Sequence, residues 1–210
     1  MALSHPRTDI LTSVAFQDQK FQLMWRQEIS RTAGGVTLGK DLGPSLWSAS
    51  YTTIRMDDQA ALAYEADLDT LEGVIFPFEA GDLRRLYPLA HPTGDFNDTG
   101  VIEAVNGNNR AMSLSGLDPG FVLSKGDYLS FDYGGSRALH RLAEGAVANG
   151  FGVTPQFEVR PHLRPGWVLD AGVKLKRPSA LFTLVPGSVS QTLNNGESTV
   201  ISFQAMQYLA

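Results

Sequence analysis

The residues that could do chemistry are few and scattered. Four histidines are present, His5, His91, His140 and His162, and none falls in His-Glu-x-x-His or a comparable metal-ligand spacing. His140 lies near Asp132 and Glu144 in sequence, and a histidine paired with a carboxylate can act as a general acid-base. The simpler assignment is a cross-strand partner or a half-buried slot. Ser113-Leu114-Ser115-Gly116 lacks the Gly-x-Ser-x-Gly nucleophile elbow. Glycoside hydrolysis needs two carboxylates at a set separation. Glu103, Asp127, Asp132, Glu144 and Glu158 supply carboxylates, but only as the scatter any β protein has. Gly34 to Lys40 has Gly-Lys at its end, yet lacks the first glycine of a phosphate loop and the hydroxyl residue after the lysine. Asp95, Asn97 and Asp98 share a loop without the spaced ligand run of a calcium site. The absence of cysteine removes disulfides, thiolate zinc sites and cysteine nucleophiles. The chain is therefore read as non-enzymatic, with no catalytic, cofactor or metal site assigned and no cofactor expected.

The elements that would position such groups are short and β-prone. Lys20 to Ser30 alternates, with Phe21, Leu23, Trp25 and Ile29 on one face, and predicts a strand with one buried side. Thr32 to Val36 is a turn, and Val36 to Leu38 begins the return. Trp47 to Ile54 is rich in aromatic and β-branched residues and predicts a second strand. Asp57 and Asp58 suit a helix N-cap, and Ala61, Tyr64, Leu68 and Leu71 repeat at helical spacing before Gly73. One helix over residues 58–72, laid against a sheet, is expected, with Glu65, Asp67 and Asp69 mostly facing solvent. Val74 to Phe78 carries a proline and reads as an edge strand or strand end. Residues 83–97 are loop-like. Val101 to Val105 and Ala111 to Leu117 flank Asn106-Gly107-Asn108-Asn109, a hairpin signal.

Beyond Asp118 the chain is cut by turn chemistry at near-regular intervals. Tyr128 to Tyr133 alternates, and Gly134-Gly135 offers a tight turn. Ser136 to Ala148 has a helix-like composition in a hairpin setting. Phe157 to Arg160, Val168 to Lys176, Leu181 to Val185 and Thr199 to Leu209 read as further strands, with a turn at Asn194-Asn195-Gly196. Trp47 and Trp167 sit beside turns and are assigned to the core. The fold class expected is mainly β: an antiparallel β-sandwich or barrel with one packed helix. It forms a single domain over residues 1–210, or two β subdomains, 1–82 and 98–210, joined by the 83–97 loop. Residues 1–19 read as a flexible or docking arm.

The 210 residues carry a net charge of −5 and 21 glycines. Basic residues are dispersed, so no face for nucleic acid is expected. The start of the chain lacks the basic-then-apolar order of a secretory signal, and no apolar run reaches the roughly 18 residues of a membrane helix. A soluble protein made in a cytoplasm, with no membrane partner, is the expectation.

Three segments resemble a family. Lys125-Gly126-Asp127-Tyr128, then Ala138-Leu139-His140-Arg141-Leu142-Ala143-Glu144, then Phe157-Glu158-Val159-Arg160-Pro161-His162-Leu163-Arg164 are similar to successive strands of the distal tail and minor tail-tip proteins of long-tailed bacteriophages and prophages. Pro44 to Trp47, Ala60 to Leu71 and Phe203 to Met206 add to the likeness. The resemblance implies a strand, not a helix, at 136–148. It implies a virion structural protein, assembled in the bacterial host cytoplasm, that forms a usually sixfold homo-oligomeric ring joining the tail tube to the baseplate hub. The 83–97 loop and the N-terminal arm would then touch neighbours. The extra C-terminal carbohydrate-binding domain of larger family members is not evident in these residues, so direct receptor binding is not an expectation from the likeness. A monomeric carbohydrate-binding β-sandwich, marked by a row of exposed aromatics on one sheet face, is the alternative, and a small β-rich hydrolase the third.

Overall fold

The computed structural model describes residues 4–194 and 198–209. The first strands are β1 (Phe16–Met24), β2 (Gln27–Arg31), β3 (Thr37–Asp41) and β4 (Leu46–Thr53), followed by α1 (Asp58–Asp69) and β5 (Phe78–Ala80). Then come β6 (Val101–Val105), β7 (Ala111–Ser115), β8 (Val122–Leu123), β9 (Tyr128–Tyr133), β10 (Ser136–Leu142), β11 (Ala146–Val147) and β12 (Phe157–Arg160). The chain closes with β13 (Val173–Lys174), β14 (Ala180–Leu184), β15 (Ser190–Asn194) and β16 (Ser198–Gln207). The architecture is mainly β and antiparallel, with a single helix among the described residues.

One sheet runs β1-β4-β16-β14-β5, with β15 also paired to β16. Strand β4 shows why it forms: Trp47, Ala49, Tyr51 and Thr53 are buried while the residues between them are half-exposed. Such period-two burial suits a pleated ribbon with one wet side. The sheet nearly closes into a barrel. At the seam the Gln19 amide donates to the Gly81 carbonyl (3.3 Å) and accepts from the Leu83 N–H (3.0 Å). The Tyr51 hydroxyl donates to the same Gly81 carbonyl at 2.8 Å. Asp57 caps α1 by accepting from the Ala60 N–H (2.9 Å), and Ala61, Tyr64 and Leu68 turn inward onto the barrel.

A second sheet runs β13-β9-β10-β12-β7-β6 and encloses its own core. The two cores share a wall. In the β9–β10 hairpin, Tyr128 and Leu139 enter the first core, while Leu129, Phe131, Ala138 and Leu142 enter the second. Gly134 and Gly135, with φ of 52° and 81°, make the two-residue turn. The Trp47 indole N–H donates to the Leu139 carbonyl at 2.7 Å, which fixes the barrel to the wall. Trp47 also stacks on Phe21, with ring centres 5.1 Å apart.

Residues 136–148 hold strand and no helix, as the family resemblance implied, but in two pieces, β10 and β11, parted by a bend at 143–145; in β10 burial on both faces outweighs the helical propensity of Ala, Leu and Arg. Other expectations are corrected. Helix α1 ends at Asp69 and not at residue 72, because the Thr70 hydroxyl bonds back to the Asp67 carbonyl (2.6 Å) and Glu72 takes φ 48°. Leu71 keeps its core place from outside the helix. Lys20 to Ser30 is two strands, not one, and Trp25 and Ile29 point to solvent. Val168 to Lys176 is strand only at Val173–Lys174. Residues 1–19 are no loose arm where described. Ile10 is buried, and the buried Arg7 guanidinium bonds Asp9, Asp67 and Thr70. The chain is not split into cores at the 83–97 loop, since β14 and β16 return to the first sheet. The turn expected at Asn194-Asn195-Gly196 lies outside the described residues.

Trp47→Ala should cost about 3–5 kcal/mol, from lost burial and the cavity left behind. In a Trp25→Phe background, which leaves Trp167 as the variant's single tryptophan, chemical unfolding followed by Trp167 fluorescence, which reports the second core, should shift in step with circular dichroism. An unmoved Trp167 transition would show that the two cores unfold independently.

Candidate functional site

The groups singled out for catalysis, Glu103 apart, are held by structural partners. His140 lies on the second-core face of β10 and is 2 % exposed. Its Nδ1 sits 2.8 Å from the Pro161 carbonyl, so Nδ1 carries the proton and donates. Its ring stacks on Phe131 with centres 5.5 Å apart, and no carboxylate is among its hydrogen-bond partners. The surrounding cavity is about 10 Å³, too small for a substrate. Burial pushes the imidazole down to about 4, with the Arg164 and His162 charges adding to the effect against the Pro161 hydrogen bond.

The carboxylates do not converge. Fully buried Asp127 accepts from the Ser124 N–H (2.7 Å), the Leu89 N–H (3.0 Å) and the Arg85 guanidinium (2.8 Å). It clamps the 83–97 loop to the start of β9. Asp132 pairs with Arg137, Glu144 accepts from the Glu158 N–H, and Glu158 pairs with Arg160. Glu103 is exposed. Asp98 accepts from the Leu175 and Lys176 N–H groups, and Asn97 donates to Asp118. Among the described residues no group of three or more His, Asp or Glu is placed to hold a metal ion. Asp82 is buried beneath Tyr128. Burial opposes its ionisation, but bonds from the Arg84 side chain and N–H outweigh this and hold the carboxyl below its ordinary value.

The segments expected to touch neighbours are anchored to their own subunit, although the 83–97 loop keeps Arg84, Leu89, Pro92 and Asp95 exposed. Besides the Asp127 clamp, His91 of the long loop stacks on Phe121 with ring centres 4.0 Å apart, and Phe96 packs against the same ring. Trp47 is fully buried, and Trp167 is half-buried with its N–H donating to Asn109. The exposed aromatic side chains, Trp25, Phe151 and Tyr208, lie at a hairpin base, on a turn and past a strand end. They do not form a row on one sheet face.

What stands apart is the β2–β3 hairpin. Its strands pair from Gln27↔Asp41 to Arg31↔Thr37, and the Leu42 N–H extends the ladder to the Arg26 carbonyl at 2.7 Å. The Thr32 hydroxyl accepts from the Val36 N–H (3.2 Å), and Gly35 takes φ 81° at the tip. Every residue of both strands is exposed. Ile29 is 69 % exposed, Val36 60 % and Leu38 54 %. A lone two-stranded hairpin is marginal in water, and clustered exposed apolar side chains mark contact surfaces. The two five-residue runs about the Thr32 to Val36 turn hold one aliphatic residue each, Ile29 and Leu38, and the cross-strand register puts these on opposite faces. The glycine and lysine of the discarded phosphate-loop likeness belong to this turn and to β3.

No helix among the described residues is long and apolar enough to cross a membrane. No known family model matches the chain, and no curated protein matches it significantly.

The His140 environment gives a pH dependence of defined sign. Its folded pKa lies below the ordinary 6.5, so the unfolded chain binds the proton more readily. Stability should be complete above pH 6.5, fall as pH drops from about 6.5 to about 4, and level off below for this group. The window corresponds to about 3 kcal/mol. His140→Asn keeps a donor for the Pro161 carbonyl, and its unfolding free energy should lose this slope. An equal slope in both proteins would contradict the assignment.

Proposed function

We propose that the chain is a structural subunit of a phage or phage-like tail tip, forming a homo-oligomeric ring that links the tail tube to the baseplate hub. The observation that carries the reading is the β2–β3 hairpin: a paired, capped ladder with apolar side chains on both faces and no cover within its own subunit. A subunit that completes itself only on assembly has this form. The likeness to distal tail and minor tail-tip proteins supports the same reading, since its three main segments run through β9, β10 and β12. Of the groups weighed for hydrolysis, His140, Asp127, Asp132, Glu144 and Glu158 are engaged in internal bonds, and the exposed aromatics lack the shared face that sugar binding would use.

Ile29→Asp combined with Leu38→Asp should abolish self-association while leaving the unfolding free energy of the dilute monomer within about 0.5 kcal/mol of wild type, because both side chains are already in water. Native mass spectrometry over a range of concentrations is the check. The wild type should populate a closed ring, sixfold in the resembling family, and the variant a monomer. A wild type that stays monomeric throughout and binds a glycan array would overturn the reading in favour of a carbohydrate-binding module.

A further inference from the structure

We infer that the hairpin of one copy seats in the groove between α1 and β15 of a second copy, so that subunits join head to tail. This inference rests on the self-assembly reading and names the surface that receives the hairpin.

The two surfaces lie at opposite ends of the same sheet. Strand β1 pairs with β4 from Phe16↔Thr53 at one end to Met24↔Leu46 at the other. The hairpin leaves from the Met24 end. The groove opens at the far end, where Met56 bridges Thr199 and β15 pairs with the start of β16. The nine residues of β1 put about 27 Å between them. A surface at one end that fits a different surface at the other gives a heterologous contact, which closes into a ring when the rotation per subunit allows.

The groove fits the hairpin in polarity and charge. It encloses about 410 Å³, with Leu62 on one wall and Leu193 on the other, 59 % and 60 % exposed. Asp58, Leu62 and Glu65 fall at i, i+4 and i+7 of α1, so acid, apolar and acid line one stripe of the helix. Of the six carboxylates between Asp57 and Glu72, Asp58 and Glu65 line the groove, no lysine or arginine lines it, and Asp67 is taken by Arg7. On the hairpin, cross-strand pairing places Leu38 opposite Ser30 and Lys40 opposite Glu28. By alternation that face presents Val36, Leu38 and Leu42 with Arg26 and Lys40 against the single acid Glu28. It is the more apolar and the more basic of the two faces. Its leucines meet Leu62 and Leu193, and its cations meet the acidic helix.

Cysteine cross-linking tests this directly, because the chain has none of its own. Leu38→Cys combined with Leu193→Cys should give a covalent ladder on oxidation, since each copy donates one thiol and accepts another. An equal mixture of the two single variants should stop at covalent dimers, and each single variant alone should give none. Both sites are exposed, so an unchanged melting temperature verifies the fold. Assembly by native mass without cross-linking of this pair would overturn the docking and leave self-assembly standing. Self-linking of Leu38→Cys would overturn it in favour of a hairpin-to-hairpin contact. A monomer with no cross-link under any condition would overturn both the docking and the assembly reading.

Discussion

The β9–β10 hairpin must bury both of its faces, and most of the architecture follows from that. An ordinary antiparallel strand pair has one dry side. Here Tyr128 and Leu139 feed one core, and Leu129, Phe131 and Ala138 another. Neither core can close without the hairpin, and the hairpin cannot stay dry without both. The Trp47 indole bond to the Leu139 carbonyl pins the barrel side, and the Asp127 carboxylate gathers the Ser124 and Leu89 N–H groups and Arg85 at the base of β9. A buried carboxylate is tolerated there because its oxygens are taken by hydrogen bonds and a cation. The polar groups that looked most like chemistry are, in this light, the fixings of a two-core shell.

That explains which parts of the fold were legible in the sequence. Strands with one wet face, such as β4 and β16, show plain alternation and their positions could be read within a residue or two. The β6–β7 hairpin announced itself through Asn106-Gly107. Strand β10 did not, because a strand buried on both sides loses its alternation, and its alanine, leucines and arginines carry helical propensity. The hairpin setting after Gly134-Gly135 and the likeness to tail proteins pointed to strand against that propensity. Helix α1 was overextended because Leu71 keeps helical spacing while packing from the turn beyond. Pairing across the chain, which brings β14 and β16 back to β4 and β5, has no local signature at all.

The candidate surface was hidden for the opposite reason. Alternation from Lys20 to Ser30 continues through the point where the chain leaves the barrel, so Trp25 and Ile29 looked like core. Alternation records which residues share a face; it does not say what covers that face. In β1 the cover is the rest of the barrel. In β2 and β3 it is solvent in the single chain and, under the proposed assembly, a second subunit. Burial within the chain and burial on assembly use the same residue types, and one sequence does not separate them.

Hydrogen–deuterium exchange at low and high protein concentration tests the central claim most directly, because it reads the β2–β3 and β9–β10 hairpins side by side. The β9–β10 amides should be protected at both concentrations. The β2–β3 amides should exchange within seconds when dilute and become protected as the protein assembles. Protection of β2–β3 that does not change with concentration, or its absence in fully assembled protein, would contradict assembly through this hairpin.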